Sequence, residues 1–125
     1  MPVPHIGWNG IRLLRDHVAF PTTSSADALY YFVHSFRVAG WPIGSEGSFP
    51  DWALTATDYG GERFVSAVSK GNVFATQFHP EKSGKAGLAL LERYNHMILR
   101  GFLGCHVMSS CVQSDKLKRK QCVYE

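Results

Sequence analysis

At 125 residues, 45% apolar and 13% aromatic, the chain is sized and composed for one modest globular domain rather than a disordered or multidomain polypeptide. Its net charge of +3 arises wholly after residue 94, because residues 1–94 hold eight Lys/Arg against eight Asp/Glu, so the basic balance does not make the folded part a nucleic-acid binder. No apolar run has the length that spans a bilayer, and Met1–His5 lacks the pattern of a secretory or transit segment, which predicts a soluble intracellular protein with no membrane partner.

In chain order, Pro4–Gly10 is a short apolar segment closed by the turn signal Asn9-Gly10. Ala28–Phe36, with Leu29, Tyr30, Tyr31, Phe32 and Val33, has the aromatic and β-branched content of a strand. Between Arg37 and Pro50, five Gly or Pro residues predict an exposed loop. Trp52–Thr57 reads as another strand, ending before Tyr59-Gly60-Gly61. Phe64–Val68 and Val73–Phe78 flank Ser69-Lys70-Gly71-Asn72, which has the composition of a hairpin turn.

A helix follows, with Ser83 as its N-cap and Leu88, Leu91, Tyr94 and Ile98 as one buried stripe. Past Leu103 the periodicity fades, and the serines and the basic cluster Lys116–Lys120 predict a solvated, disordered end. The chain thus divides into residues 1–94, a folded part, and residues 95–125, a helix end with a basic tail. All three cysteines, Cys105, Cys111 and Cys122, lie in that tail at spacings of no zinc motif, so neither a metal site nor a disulfide scaffold is expected.

The chemistry concentrates in Gln77-Phe78-His79-Pro80-Glu81-Lys82-Ser83-Gly84. A strand running into His79 sets an imidazole beyond the strand's C-terminal end, where ligand crevices form in open α/β sheets. Histidine is the side chain suited to general-base work near neutral pH. Pro80 restricts the backbone on both sides of itself. Glu81 can then reach the far ring nitrogen, fixing the tautomer and stabilising the imidazolium, as the third member of a hydrolytic triad does. A His-x-Glu pair alone is more often structural than catalytic; the whole octet is far more specific.

That octet resembles the signature of class I, triad-type glutamine amidotransferases, in which His and Glu assist a cysteine that attacks the side-chain amide of glutamine. Three further segments agree in order: Pro4-His5-Ile6-Gly7-Trp8-Asn9, Tyr31-Phe32-Val33-His34-Ser35-Phe36 and Phe64-Val65-Ser66-Ala67-Val68. With Lys82 after Glu81, they narrow the resemblance to the glutaminase domain of imidazole glycerol phosphate synthase, over roughly residues 3–94 and towards that domain's C-terminal half. The resemblance implies an α/β, flavodoxin-like fold, here incomplete: mostly the C-terminal strands plus one C-terminal helix.

It implies, too, that His79 is the general base and acid and Glu81 its orienting carboxylate. Backbone groups around Ser35 and Phe36 would hold the glutamine substrate. Trp8, Asn9, Tyr31 and Lys82 would face a partner cyclase, an eight-stranded (β/α) barrel that receives the ammonia for histidine biosynthesis. No cofactor or metal is implied. The location implied is cytoplasmic or, in a plant, plastidial.

The sequence departs from the family in its nucleophile. The family carries this cysteine upstream, in a G-x-C-x-G elbow, whereas residues 1–104 contain no cysteine and Cys105 lacks the following glycine. Residues 95–125 match neither the family's linker nor its barrel. The expectation is therefore a truncated glutaminase portion that is inactive alone. The competing readings are a non-catalytic module that docks on the cyclase, a product of truncation or alternative splicing, and nucleic-acid binding through the tail.

Overall fold

A computed structural model describes residues 3–20, 27–38, 40–44, 49–71 and 73–99, together with the backbone of 106–109. The three cysteines and the basic cluster at 116–120 lie outside the described residues. The elements are β1 (His5–Gly10), β2 (Arg12–Leu13), β3 (Leu29–His34), β4 (Trp41–Pro42), β5 (Ala53–Tyr59), β6 (Glu62–Lys70), β7 (Val73–Thr76), a 3-10 turn (Pro80–Lys82), α1 (Gly84–Leu99) and β8 (His106–Ser109). The fold is mixed α/β, mostly strands with one helix among the described residues.

Two sheets form. β1 and β3 make an antiparallel pair in which His5 faces His34, Ile6 faces Val33 and Trp8 faces Tyr31. The larger sheet runs β2-β5-β6-β7-β8, with β4 pairing β6. Its pairings are antiparallel up to β7; β8 joins β7 in parallel, which α1 makes possible by carrying the chain back across the sheet. Strand β8 lies in a stretch where the sequence pattern announces no element. Asn9-Gly10, expected to end its segment in a turn, instead lies within β1, and the chain bends only beyond it.

The core is aromatic: the strand residues Tyr30, Phe32, Phe64 and Phe74, with Phe20 before β3 and Phe78 beyond β7, form one cluster with Leu54, Leu90, Tyr94 and Met97. Tyr30 and Phe78 lie 4.5 Å apart, and Phe32 and Phe78 5.7 Å, so the β3 aromatics pack on the residue just before His79. Strand β5 is buried from Ala53 to Thr57. Its Thr55 hydroxyl meets that of Ser66 on β6 at 2.9 Å, which satisfies both polar groups inside the sheet.

Helix α1 has the expected period and a different phase. Gly87, Leu90, Tyr94 and Met97 are its buried residues. Of the expected stripe only Tyr94 is among them; Leu88 and Ile98 are exposed and Leu91 is partly so. The helix carries two apolar stripes side by side, and the small Gly87 lets one of them approach the backbone at Pro80.

Candidate functional site

His79 stands just beyond the C-terminal end of β7, in the connection to α1. Its backbone is held on both sides. The His79 N–H donates to the Tyr31 carbonyl at 2.9 Å, a bridge that ties this connection to β3. The His79 carbonyl accepts from the Ser83 hydroxyl at 2.6 Å and from the Lys82 N–H at 3.1 Å.

The Ser83 hydroxyl also accepts from the Tyr31 N–H at 2.9 Å. Ser83 does precede the helix as expected, but its side chain is spent clamping β3 to the His79 connection rather than capping α1. The hydroxyl is the right size to bridge a strand N–H and a turn carbonyl, and its burial leaves water no access.

The ring of His79 presents Nδ1 to Glu81 Oε1 at 2.9 Å. A carboxylate only accepts, so Nδ1 is the protonated nitrogen of the neutral ring and Nε2 is the basic one. Pro80 opens the 3-10 turn, and His79 itself is extended at φ −96° and ψ 101°, the conformation that a following proline favours. This backbone folds Glu81 back under the ring. The His79 side chain is 15% exposed and that of Glu81 53%, so the pair sits at a surface with the imidazole inward.

Ser35 and Phe36 are exposed where the chain leaves β3, four and five residues beyond the Tyr31 that bridges to His79. Arg37 continues this bend, pairing with Glu62 and lying 4.8 Å over the Phe64 ring.

Trp8 and Tyr31 pack edge to face at 5.7 Å, and the Trp8 ring lies 3.9 Å from where a Cβ on Gly84 would stand. Trp8 is 55% exposed and continues into exposed Ile6 on the same face of β1. Lys82, also exposed, belongs to the turn just before Gly84. Three of the four residues expected at a partner surface therefore lie together. Asn9 points to the opposite face of β1, where its amide donates to the Asp58 carbonyl at 3.0 Å.

Sequence reasoning assigned nothing to His5, yet it is buried at the centre of a polar cluster. Its ring stacks between Phe32 at 4.8 Å and Tyr59 at 3.8 Å, and its Nδ1 is 3.1 Å from Nε2 of His34. Only strand register brings the two histidines together, so no local motif could have revealed them. Burial, then the neighbouring His34 and Arg37, lower the His5 pKa from 6.5 to about 4. Burial likewise lowers His34 and His17.

Unfolded, His5 takes up a proton below pH 6.5; folded, it resists until about pH 4. Its contribution to stability is thus complete above pH 6.5 and is lost as pH falls towards 4. We expect urea unfolding to show a loss of about 2–3 kcal/mol over that window, reduced in His5→Phe. Equal stability at pH 7 and pH 4.5 would refute it.

Among the described residues no group of three or more His, Cys, Asp or Glu is placed to hold a metal ion, and no helix is long and apolar enough to cross a membrane. No protein-family model matches the chain. It is 45% identical over 92 residues to the imidazole glycerol phosphate synthase subunit HisH of Leifsonia xyli, covering 74% of this chain and 43% of that protein. The HisH subunit of Methanocaldococcus jannaschii is 40% identical over 96 residues, 77% of this chain and 44% of its own length. The chloroplastic imidazole glycerol phosphate synthase hisHF of Arabidopsis thaliana is 43% identical over 94 residues, 75% of this chain and 14% of that protein. The chain thus spans less than half the length of these curated relatives.

Proposed function

Because this chain is part of the glutamine amidotransferase domain of the imidazole glycerol phosphate synthase family, we propose that it supplies the acid–base half of a glutaminase site. The observation that carries this reading is the His79 Nδ1–Glu81 Oε1 pair at 2.9 Å, on a backbone bridged to β3. In this reading the architecture is the C-terminal portion of a flavodoxin-like class I amidotransferase domain.

A cysteine thiol gives its proton to His79 Nε2 and its sulfur bonds to the carboxamide carbon of glutamine. Glu81 steadies the imidazolium that forms. His79 returns the proton to the leaving nitrogen, ammonia departs, and a thioester remains. Water then adds to the thioester with His79 as base, releasing glutamate and the thiol. Backbone groups of Ser35 and Phe36 hold the α-amino and carboxylate ends of the substrate.

In this reading the thiol comes from elsewhere, since residues 1–104 contain no cysteine and none of Cys105, Cys111 and Cys122 sits in a G-x-C-x-G elbow. We assign it to the part of the domain that the relatives have and this chain does not span, so that the chain alone has no glutaminase activity. Trp8, Tyr31 and Lys82 form the docking face for a cyclase barrel that consumes the ammonia, with Asn9 supporting that face from behind. The setting is the cytoplasm or, for a plant source, the plastid.

The test is a chimera in which this chain replaces the 92-residue matching segment of the Leifsonia xyli subunit. Glutamine hydrolysis in the presence of the relative's cyclase supports the reading. A folded chimera without hydrolysis sinks it. A second reading, a docking module without catalysis, is favoured by the exposed Ile6 and Trp8 and predicts cyclase binding by the intact chain with no turnover in the chimera.

A further inference from the structure

We propose that His5 and His34 form a neutral, directionally ordered hydrogen-bond relay that positions the Phe36 carbonyl, and with it the Ser35–Phe36 bend. What that bend holds rests on the glutaminase reading above; the relay itself rests on geometry.

Each proton in the relay is assigned by its neighbour. The Phe36 carbonyl can only accept, and His34 Nδ1 lies 3.1 Å from it, so Nδ1 carries the hydrogen. A neutral His34 then has a bare Nε2. That atom faces His5 Nδ1 at 3.1 Å, so His5 must donate through Nδ1 and keep its own Nε2 bare. The Asn9 amide nitrogen approaches His5 Nε2 at 3.5 Å, completing the order with a weak donor. Its other contact, to the Asp58 carbonyl at 3.0 Å, fixes which way the amide points, since a flipped Asn9 would set oxygen against oxygen. The Asn9 oxygen accepts instead from the Gly10 N–H at 2.8 Å.

The anchor of the relay cannot turn. His5 is 5% exposed and lies nearly parallel to Phe32 and Tyr59, with interplanar angles of 12° and 15°. Its partner is set by strand register, His5 opposite His34. A second proton on either ring would bring N–H against N–H; burial and Arg37 oppose it at both rings, and at His34 they outweigh the Phe36 carbonyl, which favours it. An apolar pair would fill this space without the cost of burying polar rings. What the histidines add is a directed donor at the point where the chain leaves β3.

The experiment reads tautomers directly in the full 125-residue chain labelled with ¹³C and ¹⁵N. Long-range proton–nitrogen correlation at pH 7.5 should show both rings as Nδ1–H, the form that a free imidazole populates less. An Nε2–H form at either ring, or averaged nitrogen shifts, overturns the proposal. Function is read through His5→Phe, which keeps the stack, does not touch Phe36, and should still move the Phe36 carbonyl ¹³C resonance. His5→Gln, which restores a donor, should move it back.

In the chimera, His5→Phe should raise KM for glutamine about five- to tenfold with little change in kcat, the loss of roughly one hydrogen bond's worth of positioning. An unmoved Phe36 resonance in folded His5→Phe, or a loss in kcat alone, defeats the positioning role. If the parent chimera hydrolyses no glutamine, the glutaminase reading fails, while the tautomers still decide the relay.

Discussion

In the chimera, His79→Asn lowers kcat/KM for glutamine by about 10²–10⁴-fold, the range for losing a positioned general acid–base. The size follows from how little else can stand in. His79 is held by its N–H to Tyr31 and its carbonyl to Ser83, so the ring is presented by a fixed backbone. Asparagine keeps polarity and approximate bulk but no basic nitrogen, so the thiol keeps its proton. Glu81→Gln costs less: its side chain is about half exposed, water screens the charge it contributes, and the amide oxygen can still accept from Nδ1. The measurement is steady-state glutamine hydrolysis, with cyclase binding as the control for folding. A drop of less than tenfold in His79→Asn would remove it from the mechanism.

Gly87→Ala destabilises the chain by about 3 kcal/mol or more in urea unfolding, against an intrinsic helix preference that favours alanine by about 1 kcal/mol. A Cβ there would stand 1.8 Å from the Pro80 oxygen, 2.7 Å from its carbonyl carbon and 2.8 Å from Ser83 Cβ. None of these is the far end of a flexible side chain. Pro80 is buried and opens the turn that carries Glu81, so relief would have to move helix α1 or the His79–Glu81 pair. Activity in the chimera should therefore fall together with stability. Gly10→Ala is the control, because its added Cβ meets nothing within 4 Å; its unfolding should shift by less than about 0.5 kcal/mol. Equal effects at the two glycines would refute the packing argument.

The legible parts of the site are those set by neighbouring residues. His79, Pro80 and Glu81 lie within three positions, and a proline limits the angles between them, so the pair at 2.9 Å follows from local geometry. Strands β3 and β7 announce themselves because alternating burial at period two writes itself into residue type, whereas β5 and β6, buried in continuous runs, are legible from β-rich residues bounded by turn signals. The segments that narrow the family resemblance, from Pro4 to Asn9 and from Tyr31 to Phe36, are likewise read residue by residue, and relatives at 40–45% identity bear out the family they point to.

Helix phase was not legible, because Leu88, Leu91 and Ile98 offer a stripe as apolar as Leu90, Tyr94 and Met97. The sheet chose the second, helped by a glycine whose value appears only where two backbones meet. Ser83 was readable as a residue at a helix start, but not as the clamp between Tyr31 and His79, since its partner lies 52 positions away. The His5–His34 relay spans 29 positions and exists only through the β1–β3 register. Local covalent constraint and side-chain pattern are properties of the sequence itself, and they determined the His79–Glu81 pair and strands β3, β5, β6 and β7. Which apolar face is buried, and which distant polar groups meet in its shelter, depend on the free energy of the whole packed chain, and those only the tertiary structure decided.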